Sequence, residues 1–351
     1  MNLVDALLQG DRLALARTLT QIESKTPESR LALDVLYQHA GKAHVIGVTG
    51  ATGSGKSTLI NQLARAFRSP QQPGYPPAKI AILAVDPTSP FTGGAVLGAR
   101  VRMRDLSGDP GIFIRSVATR GTLGGLAHGA AEMVTALDAA GYDVIFVETV
   151  GAGQAEVEIT RLAHTVILVE NPGMGDDIQA IKAGILEIAD VIAINKADRP
   201  GVEQTESALR SMLELNHSSK YGRLGLHHFM AEDWATNSPI MEAQIGWQVP
   251  LVRTIAHQAE GISALVKTLR DHLDFLKSSG LLLVNQNIRL RRNLENLIRD
   301  TLFQNWLSQI NLQEYDQALE KLFDREVSPS ILAEIIIRPD YLNKISAIHI
   351  K

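Results

Sequence analysis

A phosphate-binding motif is the feature of this sequence that most constrains how the chain folds. Residues 44–49 form a short apolar run typical of a buried strand, and a helical pattern begins at Ser57. The connection over residues 50–57 reads Gly-Ala-Thr-Gly-Ser-Gly-Lys-Ser, which matches G-x-x-x-x-G-K-[ST] in the strand–loop–helix setting that the motif requires. A chance match is the alternative, and the correct flanking elements argue against it. The motif therefore predicts a P-loop nucleotide-binding domain.

The residue types in this loop fit the chemistry of phosphate binding. Glycines let successive backbone N–H groups approach phosphate oxygens, and the N-terminus of the following helix favours negative charge. Lys56 is expected to reach the β- and γ-phosphates, and Ser57 is expected to bind Mg²⁺. The residues expected to contact the nucleotide here are Gly50, Ala51, Thr52, Gly53, Ser54, Gly55, Lys56, Ser57 and Thr58.

Short apolar runs alternate with longer helical patterns from residue 43 onward. The runs lie at 44–48, 80–85, 112–114, 144–147, 166–169, 191–194 and 251–254, and helical spacing occupies 57–67, 123–140, 178–188, 205–215 and 262–275. Short continuous apolar runs are typical of strands that are buried on both faces. The alternation therefore predicts an α/β domain with a doubly wound, mostly parallel sheet.

Helical patterns flank this domain at both ends. The segment 1–42 is expected to form two short helices, the second starting near Thr26-Pro27. Residues 43–280 are expected to form the nucleotide-binding domain. The segment 281–351 has apolar residues at helical spacing and is expected to be a helical extension.

A candidate base-reading motif follows the strand at 191–194. It reads Asn195-Lys196-Ala197-Asp198, the pattern N-K-x-D. The Asp198 carboxylate can accept hydrogen bonds from N1–H and the exocyclic amine of guanine, which adenine does not offer. A buried acceptor left unpaired costs about 1–3 kcal/mol, so this motif favours GTP over ATP. A solvated strand end is the alternative.

Two acidic residues follow other strands of the predicted sheet. Glu148 directly follows the run 144–147, at a position where a carboxylate can hold the Mg²⁺-bound water. Three residues on, Gly151 can donate its N–H to a γ-phosphate and lose that bond after hydrolysis. Asp86 follows the run 80–85 and can reach the outer shell of the magnesium ion or a catalytic water. An exposed strand end for Glu148 and an ordinary turn for Asp86 are the alternatives.

Composition excludes several classes of function. The 34 Lys+Arg against 38 Asp+Glu leave a net charge of −4, which does not support nucleic-acid binding by bulk positive charge. The count of Cys is 0, which excludes thiolate metal sites, iron–sulfur clusters and cysteine nucleophiles. Asp5 and Asp11 interrupt the N-terminal apolar positions, and no run of about 18 apolar residues occurs. We expect a cytoplasmic protein without a signal peptide that binds neither nucleic acid nor membrane.

Several stretches together resemble one known family. They are DPTSPFTGGAVLGARVRM at 86–103, RSVATRGTLGGLA at 115–127, VIFVETVGAGQAEVE at 144–158 and NPGMGDDIQAIKAGILEIADVIAINKADRP at 171–200. The chain resembles the GTPases that accompany methylmalonyl-CoA mutase, often called MeaB or ArgK proteins, most closely over residues 44–262. The Gly-Asp-Asp-Ile-Gln run at 175–179 combined with the N-K-x-D motif is highly specific for that family.

This resemblance implies a function and further site residues. It implies a homodimeric GTPase that binds GTP, GDP and Mg²⁺, gates the loading of an adenosylcobalamin-dependent acyl-CoA mutase and protects that mutase, without itself holding cobalamin. It assigns Ser57, Asp86 and Glu148 to the metal, and Lys56, Asp86, Glu148 and Gln154 to catalysis. It also favours a dimer seam along the C-terminal helix. Switch and partner-signalling positions correspond to Arg100, Arg102, Asp176, Asp177 and Lys182.

Three positions depart from the family pattern. Ala99 stands where the family has an acid associated with magnesium and hydrolysis. The absence of that acid is expected to affect the rate of GTP hydrolysis or its coupling. The purine loop of the family, Ser-Ala-Leu, corresponds to Ile255-Ala256-His257, in which the N–H of Ala256 is still able to meet guanine O6. The segment 216–247 is longer than usual. These departures indicate a divergent member, with a different mutase as a possible client.

Three alternatives to a chaperone GTPase stay open at this point. A nucleotide-sensing regulator with little hydrolysis is consistent with Ala99. A kinase linked to basic amino-acid transport agrees with an older name of the family, although no acceptor-binding motif is present. A metal-insertion GTPase would need ligands beyond His227, His228, Glu232 and Asp233, which are more typical of a solvated loop.

Overall fold

The structure of the protein is a computed structural model. It describes residues 2–69, 76–87, 103–106, 108–119, 125–149, 159, 162–173, 186, 188–217, 246–310 and 312–337.

Among the described residues, seven parallel strands form one sheet, in the order β3-β2-β4-β1-β5-β6-β7. The strands are β1 (His44–Thr49), β2 (Ile80–Pro87), β3 (Ile112–Thr119), β4 (Val144–Thr149), β5 (Thr165–Glu170), β6 (Val191–Asn195) and β7 (Leu251–Thr254). All seven predicted strands are confirmed. Strand β3 continues to Thr119 instead of ending at Ile114, because its pairing with β2 extends past the polar residues Arg115 and Ser116.

Helices cover both faces of this sheet. The described helices are α1 (Leu3–Leu8), α2 (Arg12–Glu23), α3 (Pro27–Tyr37), α4 (Lys56–Arg68), α5 (Gly125–Ala139), α6 (Val202–His217), α7 (Ile262–Ser278), α8 (Leu281–Gln309), α9 (Leu312–Phe323) and α10 (Pro329–Ile336). Successive strand residues point to opposite faces. Val45 accordingly packs with α1, α2, α3 and α5, whereas Ile46 packs with α4 and α7. The predicted doubly wound α/β fold is confirmed.

The N-terminal segment differs from its prediction, because it forms three helices instead of two. Gly10 has a left-handed φ of 90°, which ends α1. Asp11 then caps α2, since its Oδ1 accepts hydrogen bonds from the N–H groups of Leu13 at 2.7 Å and Ala14 at 3.0 Å. Residues 9–12 read Gln-Gly-Asp-Arg and include no apolar residue, so a glycine followed by a helix-capping Asp was the sequence signal for this boundary.

The chain divides into two compact units, Met1–Asn287 and Ile288–Lys351. The second unit has its own small core of Ala318, Val327, Leu332 and Ile336. In α8, by contrast, Leu290, Leu294 and Leu302 expose 46%, 58% and 63% of their surface. Among the described helices, none combines the length and the apolar character needed to cross a membrane.

Candidate nucleotide-binding site

The P-loop connects the end of β1 to the start of α4, as its sequence predicts. Gly50 and Gly55 adopt left-handed φ values of 136° and 94°. A Cβ atom at Gly50 would lie 2.2 Å from the carbonyl oxygen of Val169, and one at Gly55 would lie 2.3 Å from Nδ2 of Asn195. Glycine is therefore required at both positions for conformation and for space. The tight fit brings the P-loop against β5 and against the base-reading motif.

The two reactive side chains at the start of α4 are buried and already oriented. Lys56 Nζ donates hydrogen bonds to the carbonyl oxygens of Gly50 at 2.7 Å and Ala51 at 3.0 Å. Ser57 Oγ donates to Glu148 Oε1 at 2.6 Å. Strand β4 lies beside β1, with Glu148 in register with Val48, so Glu148 reaches the P-loop from the neighbouring strand. Hydroxyl and carboxylate oxygens are ligands that fit Mg²⁺.

The base-reading motif is tied to the P-loop through Asn195 and Lys196. Asn195 is 2% exposed, and its Nδ2 donates to the carbonyl oxygen of Ser54 at 2.8 Å. Lys196 has a left-handed φ of 56°, and its Nζ donates to the carbonyl oxygen of Gly53 at 2.6 Å. Asp198 is exposed at the end of this loop. The structure thus brings residues 195–198 next to the P-loop, where one nucleotide can contact both.

The loop after β7 also meets Asn195, with one difference from the expected arrangement. The N–H of Ala256, predicted to meet guanine O6, donates to Asn195 Oδ1 at 3.1 Å. The O6 contact stays a prediction, and it requires this bond to be shared or released. Ile255 pairs with Glu260 across the loop, and His257 is exposed.

Thr254 is a contributor that the sequence analysis missed. Its Oγ1 donates to Asn195 Oδ1 at 3.3 Å, which fixes the Asn195 amide from a third element. The only sequence signal for it is its position directly before Ile255-Ala256-His257.

Several predicted site residues lie outside the described residues, and their roles stay predictions. They are Ala99, Arg100, Arg102, Gly151, Gln154, Asp176, Asp177 and Lys182. Asp86 lies in β2 in register with Ala118, but its side chain is outside the described part of the chain. Most of the segment 216–247 is likewise outside it. Within the described ranges, no group of three or more His, Cys, Asp and Glu side chains is arranged to hold a metal ion.

The fold and the site define the class of protein. A parallel sheet, a P-loop with Lys56 and Ser57, and an N-K-x-D motif against that loop are the features of a P-loop GTPase. The family model described as methylmalonyl-CoA mutase-associated GTPase MeaB matches residues 15–311. The chain belongs to this family, and it is a GTPase.

Individual relatives agree with this assignment. A protein from Pyrococcus abyssi is 38% identical over 337 residues, which are 96% of this chain and 95% of the relative. The GTPase ArgK of Escherichia coli is 35% identical over 300 residues, 84% of this chain and 81% of its own length. The crystal structure of a LAO/AO transport system kinase superposes with a TM-score of 0.66 at 25% identity, covering 95% of both chains.

Proposed function

We propose that this GTPase is a chaperone that gates adenosylcobalamin loading of an acyl-CoA mutase of the methylmalonyl-CoA mutase type and protects that mutase. The observation that carries the proposal is the match of residues 15–311 to a family described as associated with methylmalonyl-CoA mutase. The preformed P-loop and base-reading motif support GTP as the signal.

The chain's own residues have distinct roles in the proposed hydrolysis. Lys56 leaves the carbonyl oxygens of Gly50 and Ala51 at least in part to bind the β- and γ-phosphates. Ser57 and Glu148 supply the oxygen atoms that hold Mg²⁺, which when bound neutralises charge on those phosphates. Asp86 and Gln154 orient the attacking water.

The proposed output is a conformational change and not chemistry on a second substrate. The γ-phosphate would be bound by the N–H of Gly151 and released after hydrolysis. This difference biases two conformations of the segments 86–103, 148–158 and 171–182, and Arg100, Arg102, Asp176, Asp177 and Lys182 transmit it to the mutase.

We also propose that the protein acts as a homodimer joined along α8. Leu290, Leu294, Leu297, Ile298 and Leu302 are each at least 39% exposed, and they recur at helical spacing. Exposed apolar rows of this kind are typical of surfaces that another chain covers. A single mass near twice 38.1 kDa in solution would support the dimer.

A nucleotide-sensing regulator with little hydrolysis is the second candidate, because Ala99 replaces an acid expected for the family. Both candidates bind GTP, so they differ only in turnover. A kinase would transfer phosphate to an acceptor, which the same assay detects.

The test measures phosphate release from GTP, with ATP as control, with and without a candidate adenosylcobalamin-dependent mutase. The chaperone proposal predicts GTP-selective release that rises when the mutase is added, and GTP-dependent transfer of adenosylcobalamin to the apo-mutase. Tight GTP binding without release in both conditions would instead support the sensor. Phosphate transfer to an added amino acid would support the kinase.

A further inference from the structure

A closed triangle of polar side chains lies on α4, one helical turn beyond Ser57. Asn61 Nδ2 donates to Asp105 Oδ1 at 2.7 Å, and Arg65 Nε donates to Asn61 Oδ1 at 3.1 Å. Arg65 Nη2 donates to the other oxygen of Asp105 and completes the triangle. We call Asn61, Arg65 and Asp105 the α4 triangle.

The α4 triangle fixes a short part of the connection between β2 and β3. Asp105 lies in a turn of 3₁₀ helix at Arg104–Leu106. Met103 and Leu106 on either side are 0% and 3% exposed, and they pack in the same core as the apolar face of α4. Asn61 itself is 7% exposed, so loss of Asp105 would leave its buried amide short of a partner. The turn is therefore held to α4 by packing and by hydrogen bonds together.

The α4 triangle is close to the magnesium residues along the helix. Residues four apart in a helix are neighbours on one face, so Asn61 lies beneath Ser57. Ser57 in turn donates to Glu148. Strand β2, where the same connection starts, pairs with β4, and Ala84 is in register with Glu148. Strand β2 thus passes beside Glu148 at Ala84, and Asp105, between β2 and β3, is bonded to Asn61 one helical turn beyond Ser57.

We propose that Asp105 is a positioning residue for GTP hydrolysis. It acts through Asn61, because both of its carboxylate oxygens are engaged by Asn61 and Arg65. For the same reason it does not supply the carboxylate that Ala99 lacks. The α4 triangle holds the second and third turns of α4 against the 3₁₀ turn at Arg104–Leu106, and through the helix this fixes the position of Ser57, one turn nearer its start, relative to Glu148.

The expected effect is on turnover more than on affinity. The base is read by residues 195–198, and the phosphates are bound by P-loop amides, none of which the α4 triangle contacts. A small misplacement of groups around reacting atoms slows the chemical step strongly. Loss of Asp105 therefore lowers the rate and leaves GTP binding nearly intact.

The chain offers a matched control on the same connection. Asp109 is bonded by Arg68, at the far end of α4, through Nε at 2.8 Å and Nη2 at 2.8 Å. It also accepts from the N–H of Gly111 at 2.7 Å. Asp109→Ala therefore removes an equivalent pair between α4 and the same segment, but one remote from Ser57.

The test is single-turnover GTP hydrolysis by the full chain, with protein in excess and its concentration varied. Asp105→Ala is expected to lower the limiting rate about tenfold while the half-saturating protein concentration changes less than about twofold. Asp105→Asn, which keeps the Asn61 bond, gives an intermediate rate. Asp109→Ala lowers the melting temperature but keeps the wild-type rate.

Three results would overturn the proposal. One is a limiting rate for Asp105→Ala within twofold of wild type. Another is a loss that appears in the half-saturating concentration instead of the rate. The third is an equal loss of rate in Asp109→Ala, which would show that general destabilisation is the cause.

Discussion

Ser57 Oγ on α4 donates a 2.6 Å hydrogen bond to Glu148 Oε1 on β4, and this bond joins the P-loop helix to the strand beside β1. Both side chains are 5% exposed. We propose that these two oxygen atoms hold one magnesium ion together.

The first prediction concerns this pair. Glu148→Gln keeps the size of the side chain but removes its charge, so magnesium is held less tightly and the developing phosphate charge is less well neutralised. We expect the GTPase rate to fall about 10²-fold and the Mg²⁺ concentration needed for half-maximal rate to rise. Phosphate release across a magnesium titration measures both. An unchanged rate would remove Glu148 from the metal site.

The second prediction compares two P-loop glycines. Gly55→Ala places a Cβ 2.3 Å from Asn195 Nδ2 at a left-handed φ, so both the conformation and the contact are unfavourable. Gly53 is also left-handed, with φ of 84°, but a Cβ there meets nothing within 4 Å. Gly53→Ala should cost about 1 kcal/mol of unfolding free energy, and Gly55→Ala distinctly more, together with loss of GTP binding.

Urea unfolding and binding of a fluorescent GDP analogue check the two glycine variants side by side. If the two variants had equal stability and equal affinity for the GDP analogue, the close approach of a Cβ at position 55 to Asn195 would not disturb the site.

The third prediction concerns the base. Asp198→Asn replaces two acceptors by one acceptor and one donor, which matches xanthine better than guanine. GTP affinity should fall at least about 10²-fold, and xanthosine triphosphate should bind in its place. Asp198 is exposed, so the variant should fold normally. Competition binding with the two nucleotides tests this, and retained preference for GTP would argue against Asp198 as the base reader.

The fourth prediction rests on a buried polar chain at the N-terminal ends of the central strands β1 and β5. Thr165 Oγ1 lies 2.8 Å from His44 Nε2 and 2.9 Å from His272 Nδ1. Trp247 packs on His272 with ring centroids 4.8 Å apart. Burial lowers the pKa of His44 to about 3, with His272 and Lys277 adding to the effect, and burial lowers the pKa of His272 to about 3.

The two lowered pKa values make the folded protein less stable as the pH becomes acidic. In the unfolded chain both histidines have a pKa of about 6.5, so they bind protons more tightly there than in the folded protein. Above pH 6.5 they are mainly neutral in both states and do not reduce the free energy of unfolding. The free energy of unfolding falls as the pH drops from 6.5 towards 3, by about 1.4 kcal/mol per pH unit for each histidine. Between pH 6.5 and 5, most carboxylates stay ionised and contribute little.

Urea unfolding at pH 7, 6 and 5 measures this slope. His272→Gln keeps a polar partner for Thr165 but does not titrate, so the slope should fall by about half. A slope that His272→Gln leaves unchanged would show that these histidines do not govern stability in that range.

Local patterns predicted most of the fold. The seven strands, the P-loop and the N-K-x-D motif each depend on neighbours in sequence, and the structure has them where the pattern indicates. What local patterns could not supply is contacts between distant residues. The bond from Asn195 to Ser54, the role of Thr254 and the α4 triangle all join separate elements. The break at Gly10 did have a local signal, a glycine followed by the capping residue Asp11, which the spacing of the apolar residues on either side does not show.

The N–H of Ala256 illustrates the same limit. The sequence places it in a loop that can face guanine, but its present partner is a side-chain oxygen of Asn195 from another strand. Only the three-dimensional arrangement reveals that competition.

We expect this chain to hydrolyse GTP selectively at the site formed by Lys56, Ser57 and Asp198. The most direct measurement is phosphate release from GTP and from ATP in the presence of Mg²⁺, with Lys56→Ala as control. The wild-type chain should release phosphate from GTP and little from ATP, and Lys56→Ala should release none above background. Equal release from both nucleotides, or release that persists in Lys56→Ala, would contradict it.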